Sequence, residues 1–433
     1  MNLGVTQTSE QSQALYLRTI PAIRERCSRV HKLAEQGRLE YFDYHPDKED
    51  QVAEFCEGII RRDFGSNFAG IPPHGRWRHL DAGLPRVEPL VAEWNAQPNP
   101  PDTKEICRRL VDLFLVSVLL DAGAGNDWTY SEATSGKSFA RSEGLGVASV
   151  HMFKEGLFSG NKEQPFQVDA KGLSQLTSKK VGEAFQVTEK NPMVGLEGRT
   201  SLLVNLAQAL KANPTFFGEE ARPGRLIDFL DQQSRAENGK TKVHVSSLWY
   251  ALIEGLAPIW PPRTSIGGFA LGDVWQCNAL ALAGNEGTEA LVPFHKLTGW
   301  ITYSLMEPME RFLGWEFEGV EDMTGLPEYR NGGLLVDFGV LTLRPGKLPA
   351  DAVSTEGLPR VPPSHPAIIE WRAMTVILLD RITAALRTRL NAPLSLTQVL
   401  ESATWKGGRE IAKQKRPHSG GPPIEIESDG TVF

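Results

Sequence analysis

The sequence predicts a mainly α, multi-helical protein with a few short strands. Apolar residues recur at helical spacing in long stretches, most cleanly from Pro366 to Leu390 through Ile368, Trp371, Met374, Ile377, Leu378, Ile382 and Leu386. On a helix this spacing makes one core-facing stripe. Segments of strand character are short, and neither an internal repeat nor a low-complexity run is present.

Taken in order, Gln11 to Leu39 carries the helical pattern through Leu15, Ile20, Ile23, Val30 and Leu33, with Pro21 tolerated near a helix start. Asp47 to Phe64 repeats it. Residues 65–101, rich in Gly, Pro and Trp, read as an extended connection followed by a short helix, with His74 and His79 as solvated loop residues. Asp102 and Thr103 offer an N-cap to an apolar helix through Leu120, stopped by the glycines of DAGAGNDWTY. Glu143 to Phe153, Thr200 to Leu210 and Pro223 to Gln233 read as helices, and Ser246 to Gly255 as a helix broken by APIWPP. From Phe294 to Val340 an amphipathic helix, with His295 and Lys296 near its start, leads into a short loop. FGVLTLRP suggests a strand. The tail 391–433 reads as a helix and then a Pro/Gly-rich arm, with Asp429-Gly430 as a hairpin turn. A chain of 433 residues is too long for one small core. The expected lobes are 1–130, 131–345 and 346–433, the last holding the long helix and a tail that packs on the others.

Composition narrows the class. The chain is 41% hydrophobic and 23% charged, as in ordinary globular proteins, with a net charge of -7. Without a basic face it is not expected to bind duplex nucleic acid, where phosphate neutralisation supplies most of the affinity. Cys27, Cys56, Cys107 and Cys277 form no CxxC pair and read as buried, reduced thiols. The first residues lack a basic stretch followed by an apolar core, and no run of eighteen apolar residues occurs. A cytoplasmic protein with no membrane partner is expected.

Glycine-rich and metal-type motifs fail on spacing. GAGNDW lacks the third glycine of a dinucleotide loop and follows a helical pattern. SGKS at 135–138 lacks the first glycine of a P-loop, Ser131 standing there, which leaves Lys137 or Arg141 as a local anion contact. The nine histidines form neither HxH nor HExxH, and no serine sits in GxSxG. Carboxylates are more informative. Asp322, Glu328, Tyr329, Arg330, Asn331 and Asp337 crowd around glycines, a density that core segments seldom hold because buried charges are costly unless paired. Asp127-Trp128 and Asp273 with Trp275 likewise set acids beside aromatic planes, a combination that suits a planar or ring-bearing ligand. The bland alternative has these acids capping helices and Arg330 pairing structurally.

The motifs SEGLGVASVHMF (142–153), RTSLLVNLAQAL (199–210), RPGRLIDFL (222–230), LAPIWPPR (256–263), GDVWQC (272–277), LVPFHKLTGWITYSLMEPMER (291–311), TGLPEYRNGGLLVDFGVL (324–341), EWRAMTVILLDRI (370–382) and SDGTVF (428–433) resemble those of the uracil catabolism protein 4 family. That resemblance implies a place in a route that degrades uracil through a ribosylated, ring-opened urea intermediate. A local likeness to the queuosine N-glycosidases implies a mostly helical fold related to the helical DNA glycosylases. There Lys296, Tyr329 and Arg330 match the family's Lys and Tyr-Arg, Glu328 stands where the family has Asp, His295 replaces a Tyr, and Asn331-Gly332-Gly333 replaces Val-Pro-Gln.

The implied chemistry is hydrolysis of the N-ribosyl bond of a ribosylurea or its 5′-phosphate, a small nucleoside- or nucleotide-like substrate. A fixed carboxylate near C1′ would stabilise an oxocarbenium-like ring and direct water, while urea, a poor leaving group, calls for a proton donor. On this reading Glu328 faces C1′ and Asp322 or Asp337 is the second acid. Asp273 and Asp127 hold ribose hydroxyls or the urea, and Arg330, Lys296 and Arg141 hold a phosphate. Trp275, Trp128 and Tyr329 wall the pocket, His295 lies among the substrate contacts, and no metal or organic cofactor is required. A metal-dependent amidohydrolase acting on a ureido intermediate and a non-catalytic pathway partner are the competing readings.

Overall fold

The computed structural model describes residues 9–125, 127–260, 263–349, 351–354 and 356–427. Helices dominate, and strands among these residues are two to five residues long. The mainly α expectation holds. The proposed hairpin turn at Asp429-Gly430 lies outside the described residues. Contacts divide the chain into two compact units, each assembled from separated stretches. The first holds residues 9–74, 263–299 and 321–427, and the second 75–260 and 300–320.

In the first unit the Pro366–Leu390 helix runs as its periodicity predicts. Pro366 occupies its first turn, where the missing N–H is harmless, and His365 Nδ1 accepts the Ala367 N–H at 3.2 Å. Asn391, in the left-handed region at φ 48°, ends it. This helix packs against Ile20–Glu35 and Glu49–Phe64. The Gln11–Leu39 pattern resolves into two helices, Ser9–Leu17 and Ile20–Glu35, because Thr19 is extended and Pro21 lies in the first turn of the second. FGVLTLRP contributes the strand Leu341–Leu343, antiparallel to Phe42–Tyr44. Val274–Gln276 pairs with Leu291–Pro293 in the same sense.

One expectation is corrected here. The loop predicted around Glu328 to Asp337 is largely a helix, Tyr329–Asp337, with Gly332 and Gly333 inside it. Adjacent glycines disfavour a helix by local propensity, but close packing demands them. A Cβ on Gly332 would lie 2.7 Å from Trp371 Nε1 and one on Gly333 3.0 Å from Pro423 Cδ. On the neighbouring Trp405–Lys415 helix, a Cβ on Gly408 would lie 2.1 Å from the Arg330 carbonyl oxygen. The solvated reading of His74 and His79 also fails: they are only 3% and 4% exposed. His74 Nδ1 meets Glu401 Oε2 at 2.6 Å, and the His79 ring sits edge-on to Trp300 in the second unit.

In the second unit the Thr103–Leu119 helix starts as predicted, Asp102 accepting the Glu105 N–H at 2.7 Å. SGKS lies at a hairpin, Thr129–Glu132 with Lys137–Ala140, Ser135 and Gly136 ending its turn and Lys137 and Ser138 opening its second strand. Gly136 supplies the positive φ of 66° and donates its N–H to the Glu132 carbonyl at 2.9 Å. A hairpin turn has no strand-to-helix phosphate cradle. The four cysteines are buried and unpaired, and burial pushes the Cys56 thiol up to about 12. Among the described residues no helix is long and apolar enough to cross a membrane.

Candidate functional site

Asp273 immediately precedes the Val274–Gln276 strand, and its carboxylate collects donors from three stretches of the first unit. Arg372, on the Pro366–Leu390 helix and 2% exposed, donates twice, at 2.8 Å to each oxygen. The Trp275 indole N–H donates at 2.6 Å and the Lys296 backbone N–H at 3.0 Å. Burial would raise the affinity of Asp273 for a proton, but the Arg372 guanidinium and these N–H donors hold it well below the usual carboxylate range. Arg372 also donates from Nε to the Pro327 carbonyl at 3.3 Å and stacks 4.1 Å from the Phe294 ring centroid. It therefore ties the GDVW, PFHK and LPEY stretches together.

Glu328 lies one residue beyond that tie. It is the N-cap of the Tyr329–Asp337 helix: its side chain accepts the Arg330 and Asn331 N–H groups, each at 2.6 Å. The residue is 9% exposed. Burial raises its pKa, while the two N–H bonds and the nearby charges of Lys296 and Arg330 act against that rise. The result is a carboxyl that takes up a proton more readily than a free glutamate, beside two cations. Such a perturbed acid is a mark of functional sites, although helix capping alone would also place it here.

The other candidates divide clearly. Lys296 and Tyr329 are half-buried, and Arg330 is buried, its guanidinium 5.0 Å from the Tyr329 ring and donating to the Gly420 carbonyl at 2.8 Å. Trp275 stands under Arg263 at 5.3 Å. His295 is buried at a left-handed φ of 45° with Nε2 2.8 Å from the Leu17 carbonyl, and burial pushes its pKa down, favouring the neutral ring. Asp337 sits at the far end of the Glu328 helix, eight residues from Tyr329 and so about 12 Å along the axis. Both its oxygens are taken by Arg416, at 2.8 and 2.5 Å. Asp322 is exposed, and it is its carbonyl that accepts from Arg24. Neither acid is drawn to Glu328 as a proton donor would be.

Asp127, Trp128 and Arg141 belong to the second unit. Trp128 is fully buried, its N–H bonded to the Phe185 carbonyl at 2.9 Å, which makes it a packing residue and not a pocket wall. Asp127 is exposed, and Arg141 opens the Arg141–Lys154 helix at a φ of 55°. Sequence reasoning missed Arg372. The signal was there: Glu370 and Arg372 interrupt the apolar stripe of the cleanest helix in the chain. Among the described residues no three His, Cys, Asp or Glu side chains are grouped to hold a metal ion.

These features define a mainly α protein with a buried, cation-flanked carboxyl braced by a carboxylate–guanidinium pair. Residues 16–433 match the family described as "Protein of unknown function (DUF1688)", and the chain belongs to it. It is similar to Uracil catabolism protein 4 of Lachancea kluyveri, 44% identical over 434 residues that span 96% of this chain and 98% of that protein. Protein urg3 of Schizosaccharomyces pombe is 45% identical over 422 residues, with the same shares covered. The resemblance to the uracil catabolism protein 4 family is borne out.

Proposed function

We propose that this protein acts in uracil catabolism and hydrolyses the N-ribosyl bond of a ribosylurea, or its 5′-phosphate, to urea and ribose or ribose 5-phosphate. The name of the Lachancea relative supports the pathway. The observation that carries the reaction is the buried Glu328 carboxyl with its raised proton affinity beside Lys296 and Arg330. A carboxyl of this kind can serve both halves of a dissociative hydrolysis. Protonated, Glu328 gives its proton to the urea nitrogen as the C1′–N bond breaks. The carboxylate left behind faces the oxocarbenium charge and takes a proton from the attacking water, which restores the acid. With Asp337 held by Arg416 and Asp322 in solvent, one residue performs the work that two acids divide in most glycosidases. Lys296 and Arg330 supply positive charge for a 5′-phosphate, as a point charge and a planar fork.

One observation favours a non-catalytic role instead: both Glu328 oxygens already accept backbone N–H bonds. Incubating the purified protein with ribosylurea and with its 5′-phosphate, and assaying urea, reducing sugar and ammonia, decides between them. Urea with reducing sugar, released faster from the phosphate, is the expected result. Ammonia without urea would make the protein an amidohydrolase, and no turnover of either compound would leave it a non-catalytic partner.

A further inference from the structure

One turn of the Glu328 helix carries a polar atom that the fold leaves unmatched. Asn331 is 1% exposed. Its backbone N–H is spent on Glu328 and its side-chain Nδ2 donates to the Leu326 carbonyl at 3.1 Å. Its Oδ1 is buried with no hydrogen-bond partner. Exchanging the amide atoms would set oxygen against the Leu326 carbonyl, so the hydrogen-bond network fixes the orientation. A buried acceptor without a donor is costly, and an apolar side chain of similar shape would remove that cost. A bound ligand is one thing that can complete such an atom.

We infer that Asn331 Oδ1 is a substrate-reading acceptor that takes an N–H of the ligand's urea group, next to the Glu328 carboxyl. The inference rests on the reading of the Glu328 turn as the substrate site and specifies what that site recognises. A urea carries N–H donors on both nitrogens and has few hydrophobic atoms to bind by. A neutral amide acceptor, in the same helical turn as the proton-donating Glu328 carboxyl, suits it. A site built to accept N–H bonds rejects an analogue that lacks them, because its buried acceptors are then left unpaired. Tyr329, in the same turn, is half-buried.

The test compares ribosylurea with its N′,N′-dimethyl analogue, by calorimetric binding and by urea or dimethylurea release. Wild type should prefer ribosylurea by on the order of 10²-fold, and Asn331→Leu should bring that ratio close to one. Should Asn331→Leu fail to fold, Asn331→Ala gives the same comparison. A ratio unchanged in the variant, a wild type that treats both compounds alike, or one that binds neither would overturn the inference. A preference in binding without release of urea would leave the inference standing and remove the glycosidase. If 2′-deoxyribosylurea is the compound whose discrimination Asn331→Leu abolishes, the acceptor reads a sugar hydroxyl and the urea assignment is overturned.

Discussion

Glu328 serves the fold as a helix cap and, in the proposed reaction, the substrate as acid and base, and Glu328→Gln separates the two. The amide oxygen keeps one backbone N–H, but its NH2 faces the other, so a cap-sized loss of about 0.5–2 kcal/mol is expected. Turnover should fall further, by on the order of 10²–10⁴. Thermal unfolding beside steady-state rates checks both, and wild-type turnover in a destabilised variant would leave Glu328 a cap only. Arg372→Met leaves Asp273, 14% exposed, without its charge partner. Removing one member of such a pair costs about 3–5 kcal/mol, and a loss below about 1 kcal/mol in chemical denaturation would show that the pair does not brace the site. Glu328, Lys296 and Arg330 were legible because the EYR and FHK motifs crowd charge into short segments. Arg372 was legible only as a charge interrupting an apolar helical run; its partner was not, because Asp273 lies 99 positions away in sequence.

At the scale of elements, starts and stops with local causes were legible, as with the Asp102 cap and the Pro366 and Asn391 limits of the long helix. The Tyr329–Asp337 helix was not. Its glycines argue locally for a loop, while the reason they are helical lies in Trp371 and Pro423, which remote segments supply. Gly408 shows the same dependence between two helices. Gly408→Ala would press a methyl on the Arg330 carbonyl, a backbone atom that cannot swing aside, and overpacking of this kind costs about 1–3 kcal/mol. The Trp405–Lys415 helix should then lift from the Glu328 helix. Hydrogen exchange is expected to quicken at Arg330 and Asn331, and unchanged exchange with wild-type stability would contradict the close approach.

Across the whole molecule, buried acids of opposite shift set the pH profile. Glu370, 1% exposed, accepts the Glu40 and Tyr41 N–H groups at 2.7 and 2.9 Å, and burial pushes it up to about 7 from 4.5. The native state then binds its proton more tightly than the unfolded chain. Its contribution is present in full below about pH 4.5 and is lost as pH rises through about 7, on the order of 3 kcal/mol. Asp273, held low, acts with the opposite sign: its contribution is present above the unfolded value and lost as pH falls toward the native one. Glu370→Gln should therefore flatten the decline in stability between about pH 5 and 7 and leave the acid limb in place. An unaltered decline would assign it to other groups.

The bond that breaks is the central claim, and the fate of water oxygen reports it directly. In water enriched in oxygen-18, wild-type turnover of ribosylurea should release urea whose carbonyl oxygen stays unlabelled, in step with reducing sugar, since water attacks the sugar carbon. Ammonia and carbon dioxide released in place of urea, with the ribosyl–nitrogen bond intact, would mean that water attacks the ureido carbonyl, and would contradict the N-glycosidase account.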